Sequence, residues 1–185
     1  MYPRFAIAAS LLAAACSEIV PSTVARLASV DPLAADPAAL ELVVILPPGL
    51  AVTPGTATLE IGAVRGEDTA VGSFRLEDRR APEGIAVREG ATARGFALSA
   101  SDAQRMRELQ EQIDGWKRDG SASGSFGFGL GGCTIGNGPA PDATGSVLIR
   151  MTADGTFLPL IREGRLSELL GPKVLAAIKP CQGAE

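Results

Sequence analysis

Three cysteines, Cys16, Cys133 and Cys181, have the widest chemical reach in this 185-residue chain. A cysteine can act as a nucleophile, ligate a metal or pair into a disulfide, depending on its surroundings. No Cys-x-x-Cys spacing occurs, which argues against a redox pair. Histidine is absent, so Ser-His-Asp and Cys-His triads and every histidine-based metal site are excluded. Lys117, Lys173 and Lys179 have no serine at the Ser-x-x-Lys spacing and read as surface charges. Two carboxylate pairs, Glu67-Asp68 and Glu77-Asp78, have the composition for acid/base work or Ca²⁺ binding. Neighbouring residues on a strand point to opposite faces, which suits neither task; solvated turn charges are the simpler expectation. The run Gly127-Phe128-Gly129-Leu130-Gly131-Gly132 has the composition of a phosphate cradle but no following helix to supply the anion site. The residues therefore point to no catalytic group, no metal site and no cofactor.

The N-terminus carries a different chemistry. Arg4 precedes an apolar stretch, Phe5 to Ala15, broken only by Ser10. As a helix it measures about 16 Å, against a hydrocarbon core of about 30 Å, so it reads as a targeting segment rather than a span. Ala13, Ala14 and Ala15 lead into Cys16, and this ending resembles the lipobox of bacterial lipoproteins, with Leu12 one place earlier than the usual leucine. The resemblance covers the leader alone. It implies a signal peptide over residues 1–15, which takes Tyr2, the one tyrosine, with it. It also implies palmitate-type acyl chains on Cys16 and a chain anchored to a membrane; two or more chains make such an anchor durable. Ser17 in place of an aspartate implies sorting to the outer membrane, facing the periplasm. Ordinary cleavage after Ala15, or a free thiol at Cys16, is the alternative.

With Cys16 assigned to lipid, Cys133 and Cys181 are left as a pair in an exported chain, where an oxidising compartment allows a disulfide. Closing so long a loop is worth roughly 3–4 kcal/mol; two reduced buried thiols are the alternative. The formal net charge is −4, and no basic patch marks a nucleic-acid surface. Aromatic residues make up 4% of the chain, too few for a stacking platform.

The elements that must carry these residues divide the chain into a tether over 16–38 and one periplasmic domain over 39–185. Leu40–Leu46 is apolar on both parities, as in a doubly covered central strand. Thr56–Val64 and Ala70–Leu76 alternate and read as a hairpin. Asp78–Pro82 reads as a turn, Ile85–Val87 as a short strand and Thr92–Leu98 as a longer one. Met106, Leu109, Ile113 and Trp116 fall on one helical face, with Ser101 and Gln104 as a capping box and Gly120 as the stop. From Ser121 to Thr134, Phe126, Phe128 and Leu130 share one parity and Gly127, Gly129 and Gly131 the other. Either something approaches this bare face or it faces solvent. Val147–Ala153 and Thr156–Ile161 flank Asp154-Gly155, a hairpin signal, and Pro159 places the second arm at an edge. Leu166–Leu170 and Pro172–Ile178 read as short helices.

The predicted fold is α+β: mainly antiparallel β, as a sandwich or a curved sheet, with one packed amphipathic helix and a small helical C-terminus. The expected function is a noncatalytic lipoprotein with a structural or protein-interaction role toward a periplasmic or envelope partner. Its expected interface is the face of Gly127, Gly129 and Gly131. The alternative is a binding module for a small apolar ligand or lipid, lined by Phe74, Phe96, Phe126, Phe128 and Phe157.

Overall fold

A computed structural model describes residues 33, 35–118, 120 and 122–182, and these residues hold nine strands and three helices. Cys16, the signal segment and most of the tether lie outside the described residues. The strands are β1 (Glu41–Leu46), β2 (Leu50–Val52), β3 (Thr58–Arg65), β4 (Asp68–Arg80), β5 (Thr92–Leu98), β6 (Ser123–Gly129), β7 (Gly132–Thr134), β8 (Thr144–Arg150) and β9 (Leu158–Arg165). The helices are α1 (Ala100–Arg118), α2 (Leu166–Leu169) and α3 (Pro172–Ala176).

Seven strands form one antiparallel sheet in the order β6-β3-β4-β5-β1-β8-β9, and β2 and β7 pair separately. The sheet curls into a half-barrel. The rings of Phe96 on β5 and Phe128 on β6 lie 6.4 Å apart although two strands separate them; a flat sheet would hold those strands about 14 Å apart at ~4.8 Å per step. Of the two shapes expected, this is the curved sheet.

The core fills the concave side. Leu59, Ile61 and Ala63 of β3, Phe74 and Leu76 of β4, and Phe96 of β5 all face it. Helix α1 lies across β4, with β3 and β5 on either side, and contributes Ala103, Met106 and Ile113. Its closest approach is at Gly72, where an added Cβ would lie 2.6 Å from Leu109 and 2.8 Å from the Phe74 ring. Gln110 is buried as well, and its Nε2 donates to the Ala35 carbonyl at 2.9 Å. Leu33 and Ala35 are buried in the core, so the packed unit reaches back before residue 39.

β1 is central, as its composition requires: it pairs with β5 and β8 and buries Leu42, Val43 and Val44. The predicted β3–β4 hairpin is present, and β9 is an edge strand. Four local expectations are corrected. Asp78–Arg80 does not turn; β4 continues through it because β5 supplies ladder partners as far as Arg80↔Arg94. Ile85–Val87 is not a strand, since no described neighbour pairs with it. The helix is capped by Ser99, two residues before Ser101. The Asp102 N–H donates to Ser99 Oγ at 3.0 Å, the bond that satisfies a free amide of the first turn. Finally, β8 ends at Arg150 and β9 begins at Leu158, so Asp154-Gly155 lies inside a longer loop, closed by the Gly155 N–H on the Thr152 carbonyl.

Candidate functional site

The half-barrel leaves a gap between its edge strands, β6 and β9. Chain that the sheet does not absorb gathers there. After β1, Pro47-Pro48-Gly49 turns the backbone into β2. Gly49 has φ +86°, and an added Cβ would lie 2.2 Å from the Gly138 carbonyl oxygen, so only glycine fits the turn. β2 pairs with β7, which continues from β6. The Gly49 carbonyl accepts the Ile135 N–H at 2.9 Å.

The C-terminal tail closes over the gap. Leu166 is buried, and its N–H donates to the Ala143 carbonyl at 3.0 Å. Gly164 lets α2 fold onto β9, since an added Cβ would lie 2.8 Å from Leu169. At the far end the Thr134 N–H donates to the Lys179 carbonyl and the Cys181 N–H to the Thr134 carbonyl, both at 2.9 Å. The sulfurs of Cys133 and Cys181 stand at bonding distance, 2.08 Å, across a sequence separation of 48. The pair expected from the cysteine count is thus brought together, and it ties the tail to β7.

Beneath the tail lies a cleft of about 550 Å³. Its walls include Leu46 from β1, Leu50 from β2, Phe128 and Leu130 at the end of β6, and Val147 and Ile161 from β8 and β9, with α2 and α3 above. Among the described residues no charged side chain lines it. Its single side-chain hydroxyl, on Ser146, accepts the Glu163 N–H at 2.9 Å. That bond belongs to a bulge between β8 and β9, where the register shifts and Glu163 takes φ +48°.

The other sequence-selected residues are placed as follows. Gly127, Gly129 and Gly131 share the side of the sheet away from the core. An added Cβ would meet Glu60 Cβ at 3.8 Å from Gly127, Thr58 Oγ1 at 3.1 Å from Gly129 and Thr56 Oγ1 at 3.0 Å from Gly131. These neighbours are side chains of the adjoining β3 segment. Among the described residues neither α1 nor a second sheet covers that face. Gly131 is engaged within the fold: its N–H donates to Thr56 Oγ1 and its carbonyl accepts the Thr53 N–H, both at 2.9 Å.

The five phenylalanines do not converge on a cavity. Phe74 and Phe96 are buried in the core and Phe126 packs against it. Phe157 lies beneath Arg150, 5.0 Å away. Of the five, only Phe128 reaches the cleft. The paired carboxylates separate into surface ion pairs: Asp68 with Arg65, Glu77 with Arg79, and Asp78 with Arg94. Among the described residues no three His, Cys, Asp or Glu side chains are placed to hold a metal ion, and no helix is long and apolar enough to cross a membrane.

Sequence reasoning missed the cleft. Ile161, Leu166 and Leu170 each read as ordinary apolar positions, and the β2–β7 pairing that joins their surroundings has no local signal. Comparison with protein-family models, curated proteins and solved structures finds no match to the chain.

Proposed function

We propose that this chain is a noncatalytic lipoprotein, anchored through acylated Cys16 at the outer membrane and facing the periplasm, and that it works by protein interaction. The lipobox-like ending at Ala13–Cys16 supports the anchor. The edge strand β6 supports the interaction and is the observation that carries it. Among the described residues β6 pairs with β3 on one side only. Its seven residues, Ser-Gly-Ser-Phe-Gly-Phe-Gly, include no charge and no proline. Natural edges are blunted by such residues; an edge without them can accept an extended partner strand through main-chain hydrogen bonds. The glycines leave that strand without bulk on the outer face.

Two measurements test the proposal. Labelled palmitate should enter the wild-type chain and not Cys16→Ser. Crosslinking in the envelope should capture a partner that Gly127→Lys loses while keeping the wild-type melting curve, since the position is open. Equal capture by both proteins would overturn the β6 interface.

The cleft favours a second reading, a binding module for a small apolar ligand. Its volume lies in the range of small-molecule sites, and its lining is apolar.

A further inference from the structure

The cleft beneath the C-terminal tail has the chemistry of a site for hydrocarbon, and the remaining surfaces sharpen that chemistry. A polar ligand needs free donors or acceptors inside its site, because a buried polar group without a partner is costly. Here several polar atoms of the wall are already engaged. Ser146 Oγ accepts the Glu163 N–H, Gly131 is bonded to Thr53 and Thr56, and Gly132 belongs to the β2–β7 ladder. Among the described residues no lysine, arginine, aspartate or glutamate side chain enters the lining. Apolar surface also continues over the lip. Leu169, Leu170 and Val174 of the tail line the cleft yet remain 36%, 42% and 56% exposed. Such residues leave an apolar patch in water unless something covers it.

On these grounds we infer that the cleft takes one linear acyl chain of a membrane lipid, with the hydrocarbon lying under α2 and α3 and the headgroup left in solvent. The inference rests on the apolar-ligand reading and names its ligand class. The membrane is the chosen source because the lipobox-like leader would hold the domain at one. The tail that forms the roof is joined to β7 through Cys133 and Cys181, so the roof stays in place when the cleft fills.

The test uses the mature chain from residue 16 with Cys16→Ser, so that neither the apolar leader, an attached lipid nor detergent competes for the cleft. Titration with cis-parinaric acid should saturate at one chain per protein. Saturated fatty acids of increasing length should displace it, each added methylene strengthening binding by up to about fourfold until the cleft is full. Leu170→Asp/Val174→Asp places two carboxylates at the lip on residues already exposed, so folding is preserved and affinity should fall at least tenfold. Affinity independent of chain length, or unchanged in the double variant, would overturn the inference. N-phenyl-1-naphthylamine, a compact aromatic probe, separates the two levels. If it binds stoichiometrically, is lost in the double variant, and fatty acids do not bind, the apolar-ligand reading stands and the acyl-chain inference fails. If neither probe binds, both fail. If the lipidated wild-type chain is already filled by its own acyl group, the membrane-lipid source is refuted.

Discussion

Replacing both Cys133 and Cys181 with serine should loosen the tail before it loosens the sheet. The disulfide encloses a separation of 48 residues, and on the chain-entropy model a loop of that length stabilises the fold by about 4 kcal/mol. For a domain of this size that corresponds to a fall in Tm of about 8–16 °C. The loss concentrates in the tail because little else holds it. Leu166 is the one buried residue in α2 and α3, contributing about 1.5–3 kcal/mol. Ordering each backbone residue costs about 1–2 kcal/mol. The main-chain bonds at Thr134 add about 1 kcal/mol each. The assay is limited trypsin digestion with intact-mass readout, beside a thermal melt. Arg165 and Lys173 are exposed sites at the start of the tail and within it; cleavage there should accelerate at least tenfold while the fragment ending at residue 165 persists. If tail cleavage keeps the wild-type rate and Tm moves by less than about 2 °C, the reasoning that the tail depends on its staple is wrong. Two freely alkylated thiols in nonreduced, exported wild-type protein would refute the pairing itself.

Three other substitutions probe the fold around the sites. Gly49→Ala combines a left-handed backbone with a Cβ pressed on the Gly138 carbonyl and should cost about 2–4 kcal/mol; a urea midpoint matching wild type would contradict this. Ser99→Ala removes the bond to the Asp102 N–H and should cost about 1 kcal/mol, whereas Ser101→Ala should change stability by less than half as much. Gly72→Val forces a side chain between Leu109 and Phe74 and should cost at least ~2 kcal/mol, while Gly127→Val on the open face should leave the unfolding midpoint unchanged or raised.

Local pattern in the sequence was enough to establish many of the elements. The two-residue alternation of Leu59, Ile61 and Ala63 and the helical spacing of Met106 and Ile113 show which side of each element is buried, because one backbone period fixes one apolar face. Gly120 after α1 and Gly171-Pro172 between the last helices mark stops that depend only on backbone sterics. Two further signals came from composition: the unbroken apolar run of β1 marked a central strand, and the cysteine count paired Cys133 with Cys181. Elements were misread where a distant partner decides the outcome. The charged end of β4 looks like a turn until β5 is beside it, and Ser99 and Ser101 are equivalent caps until packing sets where α1 begins. The order β6-β3-β4-β5-β1-β8-β9, the β2–β7 pairing and the gap between the two edges were decided only in tertiary structure. Alternation names the face a strand buries but carries no address for its neighbour, and a cleft is formed by the neighbours.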